Sequence, residues 1–242
     1  MSAVTKRIAM WSGPRNISTA MMRSFENRPD CMVVDEPFYA CYLAETGIDH
    51  PMKDEVIASQ PVSWHQVAQE LSVSACDRPI WYQKHMTHHM LKHVDLSWTR
   101  HLKHCFLIRD PFEVVNSYAQ KRETVTAGDI GIVRQLELYD EISGLCGQEI
   151  PVVDAKSILL DPEKSLPALC DALDIPFATE MLHWPAGRRH SDGVWAPHWY
   201  HQVEQSTGFE PWREREIVLD PEQQCVAEES LPAYRALLEK HL

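Results

Sequence analysis

The sequence contains no apolar stretch of the roughly 18 residues that a membrane-spanning helix requires. The apolar run at residues 8–11 is too short for the core of a signal peptide. The seven cysteines are odd in number and include no Cys-x-x-Cys pair, which argues against a disulfide framework and against a thiolate zinc site. We therefore expect a cytoplasmic protein with reduced thiols and no membrane partner.

Positive charge is also scarce, because 23 lysines and arginines stand against 35 acidic residues and leave a net charge of −12. A general nucleic-acid-binding protein presents a basic surface, so nucleic acid is not an expected partner. A small anionic ligand is compatible with this charge, since a few local cations can form a positive pocket in an acidic protein. No internal repeat or linker-like change in composition interrupts the chain, which predicts one domain over residues 1–242.

Short apolar segments alternate with amphipathic segments along most of the chain. The pattern predicts strands at 7–12, 31–35, 80–83, 105–108 and 150–153, and helices at 18–26, 63–74, 111–121, 129–146, 165–173 and 221–240. This alternation is typical of an α/β fold, here a three-layer sandwich with a parallel sheet of about five strands and helices on both faces. Residues 184–215 lack the periodicity and are predicted to form an irregular segment that covers an active site.

The turn after the first strand, residues 12–19, reads Ser-Gly-Pro-Arg-Asn-Ile-Ser-Thr. It joins a buried strand to a helix N-terminus, where free backbone N–H groups and the helix dipole attract phosphate. Arg15 adds a positive charge, and Ser18 and Thr19 add hydroxyl donors. The Gly-Lys-Ser/Thr ending of a Walker A loop is missing. The alternative interpretation is an ordinary Gly-Pro turn followed by a serine helix cap.

The turn after the fourth strand carries a second group of anion-binding residue types. Arg109 ends the strand, and Asp110 and Pro111 are suited to be the cap and the first residue of a helix. Ser117 follows about two helical turns later, so an arginine fork and a hydroxyl could hold one phosphate together. The alternative is that Arg109 pairs with Asp110 or Glu113 and that Ser117 is only packed.

Together the two turns resemble the sulfotransferase superfamily, whose donor is 3′-phosphoadenosine-5′-phosphosulfate. The resemblance covers residues 7–160 and implies a P-loop-type fold. It implies that Arg109 and Ser117 bind the 3′-phosphate of the donor. It also implies that the first loop binds the 5′-phosphosulfate, through Pro14, Arg15, Asn16, Ile17, Ser18 and Thr19. Arg15 replaces the usual lysine, and Asn16-Ile17 replaces Ser-Gly; an arginine neutralises the leaving oxygen but is a poor proton donor.

Sulfuryl transfer requires a base on the acceptor and cations on the leaving phosphate, but no metal ion. Two candidate bases follow predicted strands. Glu36 resembles the glutamate that follows the second strand in carbohydrate sulfotransferases, and His85 resembles the histidine of the Lys-Thr-His segment in phenol- and steroid-type enzymes. Lys84 is a candidate contact for the transferring group. The alternatives are that Glu36 caps a helix before Pro37 and that His85 is one polar residue of a histidine-rich helix.

His85, His89 and His93 are spaced to lie on one face of a helix, and His88 is adjacent. The run contains no cysteine or carboxylate and no His-Glu-x-x-His motif, so a solvated or acceptor-pocket face is favoured over a metal site. Further along, Arg188 and Arg189 are candidate contacts for the nucleotide. The alternative is a surface loop anchored by buried tryptophans.

These features predict an enzyme that transfers a sulfuryl group to a hydroxyl or amine of a small acceptor. The acceptor is expected to be neutral, with walls formed by Phe38, Tyr39, Trp195, Trp199 and Tyr200. Two other functions are weighed against this one: a P-loop phosphotransferase such as a nucleotide kinase, and a non-catalytic nucleotide-binding or scaffold protein of the same fold. The missing Gly-Lys-Ser/Thr counts against the kinase, and a turnover assay separates the scaffold.

Overall fold

A computed structural model describes residues 5–120 and 124–242 of the protein. Its centre is a five-stranded parallel sheet in the order β2-β3-β1-β4-β5. The strands are β1 (Lys6–Ser12), β2 (Cys31–Asp35), β3 (Ile80–Met86), β4 (Lys103–Ile108) and β5 (Val152–Asp154). The α/β class and the parallel sheet predicted from the alternating segments are therefore confirmed.

Helices connect the strands and cover the sheet. They are α1 (Ser18–Glu26), α2 (Tyr39–Thr46), α3 (Lys53–Ser59), α4 (Trp64–Val73), α5 (Pro111–Ala119), α6 (Ala127–Ile130), α7 (Ile132–Cys146), α8 (Ala155–Leu160), α9 (Pro162–Ala172), α10 (Ala196–Trp199), α11 (His201–Gln205) and α12 (Pro221–Leu238). Three 3₁₀ turns lie at Thr87–His89, Ser97–His101 and Thr179–Leu182. Within the described ranges, no helix is both long and apolar enough to cross a membrane.

Side chains of each strand alternate between two buried layers, as the period of a strand requires. Ile8 and Met10 of β1 face a core that α1, α8 and α9 complete. Ala9 and Trp11 face the opposite core, which α4, α5, α7 and α12 complete. Every strand of the centre is thus covered on both faces, which explains why its segments are apolar without alternation in the sequence.

Several predicted boundaries are corrected by the structure. The third strand continues to Met86, so His85 lies inside β3 and not after it. The helix predicted at 129–146 is two helices separated at Gly131, whose φ of 74° stops α6. Helices α2 and α3 were not predicted, because they are short and lie between the second strand and α4. Residue 121, the predicted end of the helix that begins at 111, lies outside the described residues.

Candidate active site

The loop between β1 and α1 is held tightly against the fourth strand. A Cβ on Gly13 would lie 2.6 Å from the carbonyl oxygen of Ile130, so only glycine fits there. The Asn16 side chain donates to the carbonyl of Leu107 at 2.8 Å and accepts from the Ile17 N–H at 3.0 Å. Asn16 therefore fixes the loop to β4, which gives this departure from the usual loop sequence a structural role.

The two phosphate-binding elements predicted from the sequence meet in the structure. Arg15 has a left-handed backbone with φ of 54°, and its Nε donates to the hydroxyl of Ser117 at 3.1 Å. Arg109 Nη1 donates to the carbonyl of Arg15 at 2.8 Å, while its Nε pairs with Glu113 at 2.9 Å. Burial lowers the pKa of Arg15, and the nearby charge of Arg109 lowers it further. Two partly buried cations thus lie close together, an arrangement that an anion would stabilise.

Asp110 and Pro111 begin α5 as predicted, since the Asp110 carboxylate accepts from the backbone N–H of Phe112 at 2.8 Å. At the start of α1, by contrast, no side chain of the described residues caps the helix. The first backbone N–H groups of α1 therefore have no capping side chain as acceptor. Anions bind to such N–H groups at helix N-termini.

A second cluster lies where β2 and β3 end. The Nζ of Lys84 donates to Asp35 Oδ1 at 2.9 Å, to Glu36 Oε1 at 2.7 Å and to the hydroxyl of Tyr200 at 2.7 Å. That hydroxyl donates to Asp35 Oδ2 at 2.7 Å. Tyr200 comes from the irregular segment, so this segment closes the cluster from above the sheet edge.

Glu36 is strained and buried, as functional carboxylates often are. Its φ of 42° is in the left-handed region that non-glycine residues rarely adopt. Burial raises the pKa of Glu36, the charge of Lys84 lowers it, and Asp35 raises it again, with a net increase. Burial lowers the pKa of Lys84, but the carboxylates Asp35 and Glu36 outweigh burial and raise it well above its usual value.

The histidine run does not form a helix face. His85 lies in β3 on the opposite side of the sheet from Lys84, stacked on Trp11 with ring centroids 4.4 Å apart. Its Nε2 lies 3.3 Å from Gln83 Oε1, and burial lowers its pKa to about 3. His89 belongs to a 3₁₀ turn, and His93 follows it on the surface, paired with Glu45. The prediction that His85, His89 and His93 lie on one face of a helix is therefore wrong.

One cavity of about 470 Å³ joins the two clusters. Its wall includes all six loop residues 14–19, together with Arg109, Ser117, Glu36 and Lys84. His85, Arg188 and Arg189 are not among its lining residues. Arg188 instead pairs with Glu204 and is 60% exposed, and Arg189 donates to the carbonyl of Pro185.

The family model of the sulfotransferase domain matches residues 6–240, nearly the whole chain. The chain belongs to the sulfotransferase family. Two curated relatives from Arabidopsis thaliana, branched-chain-amino-acid aminotransferase-like proteins 1 and 2, are 36% and 34% identical over 232 residues. Each match covers 95% of this chain, which spans 41% of the length of either relative.

Solved sulfotransferase structures share the fold of this sulfotransferase-family chain. The sulfotransferase from Alicyclobacillus acidocaldarius superposes with a TM-score of 0.56 at 10% identity, covering 99% of this chain and 98% of that one. The sulfotransferase domain from the curacin biosynthetic pathway gives 0.55 at 16% identity, covering 94% and 98%. The likeness extends from the predicted phosphate-binding core to the irregular segment and α12.

Some cavity residues of this sulfotransferase-family protein were not predicted. They are Lys156 at the start of α8 and three residues of the irregular segment, Trp212, Arg213 and Arg215. The backbone N–H of Trp212 donates to the carbonyl of Leu159 at 3.1 Å, which holds this residue at the cavity. The Lys156 ammonium lies 4.2 Å from the centroid of the Trp212 ring. The sequence signal was present in Trp-Arg-Glu-Arg, but Arg188-Arg189 offered an equally basic pair.

The wall near Glu36 is aromatic. It includes Tyr39, His50, His89, Trp195 and Trp199. Burial lowers the pKa of His89 well below its usual value, so this imidazole is neutral at pH 7. Phe38 is not part of the wall, because it is buried in the core against Trp64 and Trp98. Across residues 5–120 and 124–242, no group of three or more histidine, cysteine or acidic side chains is arranged to hold a metal ion.

Proposed function

We propose that this protein transfers a sulfuryl group from 3′-phosphoadenosine-5′-phosphosulfate to a hydroxyl of a small acceptor. The observation that carries the proposal is the single cavity that joins the cationic loop after β1, with Arg109 and Ser117, to the buried carboxylate Glu36. The family membership of the chain supports the reaction class. The cavity volume of about 470 Å³ lies in the range of small-molecule binding sites.

The donor's 5′-phosphosulfate is assigned to the loop 14–19 and the N-terminus of α1, whose N–H groups and dipole favour an anion. Arg109 and Ser117 are assigned to the 3′-phosphate, where a guanidinium and a hydroxyl would replace part of its hydration. Arg213 and Arg215 line the same cavity and take the place that the sequence assigned to Arg188 and Arg189. These groups need no metal ion to balance the charge of the donor.

In the transfer, the acceptor oxygen forms a bond to sulfur, while the bond from sulfur to the phosphate oxygen breaks and adenosine 3′,5′-bisphosphate leaves. The acceptor's proton goes to Glu36, whose raised pKa makes it a stronger base than an exposed carboxylate. Arg15 is assigned to the bridging oxygen, where its positive charge would stabilise the negative charge that develops. Arginine retains its proton, so the leaving phosphate departs as an anion held by cations.

The aromatic wall around Glu36 supports a small, uncharged acceptor. Tyr39, Trp195 and Trp199 are flat apolar surfaces, and the buried imidazoles of His88 and His89 are neutral at pH 7 because burial lowers the pKa of each. Among the described residues, those named here for the aromatic wall include no lysine or arginine. An anionic chain would also be repelled by the net charge of −12. A nucleotide kinase is the weaker alternative, since no Gly-Lys-Ser/Thr follows β1.

Calorimetry with two nucleotides tests the donor site. Adenosine 3′,5′-bisphosphate should bind about 10- to 150-fold more tightly than adenosine 5′-monophosphate, because a charge-assisted contact contributes about 1.5–3 kcal/mol. Arg109→Ala should remove this difference. Arg188→Ala, an equal loss of charge outside the cavity, should retain it. Equal affinity of the wild type for both nucleotides would refute the donor assignment.

A turnover assay then separates an enzyme from a scaffold of the same fold. Release of adenosine 3′,5′-bisphosphate is measured with a panel of phenols, alcohols, amines and anionic oligosaccharides as acceptors. Activity on small uncharged hydroxyl compounds is expected. Tight nucleotide binding without turnover on any acceptor would favour the non-catalytic function, and activity on anionic oligosaccharides alone would contradict the assigned acceptor class.

A further inference from the structure

The cluster around Lys84 contains more interactions than a simple base and its counter-ion need. We propose that Asp35 and Tyr200 are positioning residues, which hold the Lys84 ammonium so that it fixes the Glu36 carboxylate toward the acceptor. This inference rests on the proposed function, and it assigns to Lys84 a role through Glu36 rather than a contact with the transferring group. Three lines of observation lead to it.

The first observation is that Lys84 has no donor left. An ammonium has three protons, and the Nζ of Lys84 has three acceptors at 2.7–2.9 Å, which are Asp35, Glu36 and Tyr200. The residue is 1% exposed. An oxygen of the transferring group could bind Lys84 only by displacing one of these partners. The displaced group would then remain buried without its counter-ion or its hydrogen bond. Lys84 therefore acts on the reaction through the carboxylate that it holds.

The second observation is that the hydroxyl of Tyr200 has a single orientation. It accepts from Lys84 at 2.7 Å and from the indole N–H of Trp195 at 3.1 Å, and it donates its proton to Asp35 Oδ2 at 2.7 Å. Lys84, Asp35 and Tyr200 thus form a closed ring of hydrogen bonds. The hydrogen bonds of the ring fix the position of the Lys84 ammonium. If the ammonium moved away from Glu36, it would also break its hydrogen bond to Asp35 or to Tyr200.

The third observation is that the segment carrying Tyr200 is anchored next to the cluster. Asp192 pairs with the buried Arg23 of α1 at 2.6 Å. The next residue, Gly193, donates its N–H to Asp35 Oδ2 at 3.2 Å, and a Cβ there would lie 2.2 Å from the Trp195 ring. These contacts join the segment to α1 and to the end of β2, and they hold the Tyr200 hydroxyl next to the Asp35 carboxylate.

The charges that face Glu36 determine the direction of each expected effect. They are Asp35, the last residue of β2, and Lys84 on β3. The other titratable groups that line the cavity on this side are Tyr39, His50, His88, His89 and Tyr200. Asp35 raises the pKa of Glu36 and Lys84 lowers it. Removing the charge of Asp35 should therefore lower that pKa, whereas removing the Tyr200 hydroxyl should let Asp35 draw Lys84 away and raise it.

The experiment compares Asp35→Asn, Tyr200→Phe and their double variant with the wild type. The acid limb of the kcat–pH profile should move about 1 pH unit down in Asp35→Asn and up by about half that in Tyr200→Phe. The effect of Tyr200→Phe should vanish when Asp35 is already Asn. In Tyr200→Phe, kcat should fall about 10-fold with little change in KM for the acceptor, because ground-state contacts are retained. Tyr234→Phe, the same change remote from the cavity, should match the wild type.

A second readout needs no turnover. Infrared spectra recorded against pH follow the protonated carboxyl band of Glu36, which is identified by its loss in Glu36→Gln. The same opposite shifts are expected for this band in the two single variants. Shifts in the same direction, or none, in folded variants would overturn the positioning roles. Opposite band shifts in the two single variants, together with a wild type that turns over no acceptor, would refute the proposed function alone.

Discussion

The two ends of the cavity balance their charges in different ways. At the phosphate end, Arg15 and Arg109 are partly buried, and Arg109 pairs with Glu113. At the base end, Lys84 is fully buried and its three protons are all used within the protein. The proposed function assigns an anion to the first end, whereas the hydrogen bonds of the Lys84 ammonium at the second end are complete within the protein.

This difference separates binding from chemistry. Two neighbouring cations contribute to the affinity of an anionic donor, because the bound anion offsets their mutual repulsion. A closed cluster contributes little affinity, but it holds a carboxylate in one place and adjusts its pKa, which matters when a proton moves. Substitutions at the two ends should therefore affect different measurements.

The largest effect is expected at the base end, in turnover. Glu36→Gln should lower kcat by about 10²–10⁴, because a general base acts only while the proton moves. The affinity for adenosine 3′,5′-bisphosphate should stay unchanged, because Glu36 is assigned to the acceptor and to none of the phosphate contacts. Steady-state kinetics and calorimetry on the same preparation measure both. Full activity in Glu36→Gln would break the comparison by removing the chemistry from this end.

The next effect is on stability. Lys84→Met should lower the free energy of unfolding by about 3–5 kcal/mol, since it leaves Asp35 and Glu36 buried without their cation. The matched control is Lys92→Met, which removes an equal charge from a pair with Glu137 on the surface, where Lys92 is 75% exposed. It should change stability by no more than about 0.5 kcal/mol. Urea unfolding measures both, and equal losses would show that burial does not distinguish the two pairs.

The smallest effect is expected in the pH dependence of the free energy of unfolding, through the buried imidazole of His85. Burial lowers the pKa of His85 to about 3, whereas the unfolded chain takes up that proton near pH 6.5. The stabilising contribution of neutral His85 is fully present above pH 6.5 and is lost as the pH falls toward 3, because the unfolded state then binds more protons.

Between pH 7 and pH 5, His85 alone should account for about 2 kcal/mol of lost stability. The variant His85→Gln should lose that part of the pH dependence, while the exposed His65→Gln should keep it. Denaturant unfolding at the two pH values gives the comparison. An unchanged pH dependence in His85→Gln would mean that this imidazole is not held neutral by burial.

The sequence predicted the phosphate end better than the base end for a geometric reason. Arg109, Ser117 and the loop 14–19 follow the strand-turn-helix pattern directly, so the order of residues along the chain predicts their meeting at the sheet edge. Glu36 was recognised in the same way, as a strand-end residue. His85 was misplaced because the last three residues of β3, 84–86, look like the start of a helix with regularly spaced histidines. Periodicity alone does not mark the end of a buried strand.

The irregular segment shows the limit of local patterns. Arg188 and Arg189 were predicted to contact the nucleotide, whereas Arg213 and Arg215 were not predicted. The two pairs are similar in sequence, and only the folded path brings the second pair to the cavity. Tyr200 was expected as an apolar wall. Its hydroxyl instead closes a ring with Asp35 and Lys84, residues more than 100 positions earlier in the chain.

The order of apolar and polar residues by itself determined the α/β class, the parallel sheet and the loops that carry the phosphate-binding residue types, because these depend on periodicity and on neighbours within one turn. The partners of Lys84, the burial of His85 and the choice between two arginine pairs were decided only by tertiary structure. Each depends on where distant segments meet, and the packing that brings them together is specified by the whole core and not by the few residues that make the contact.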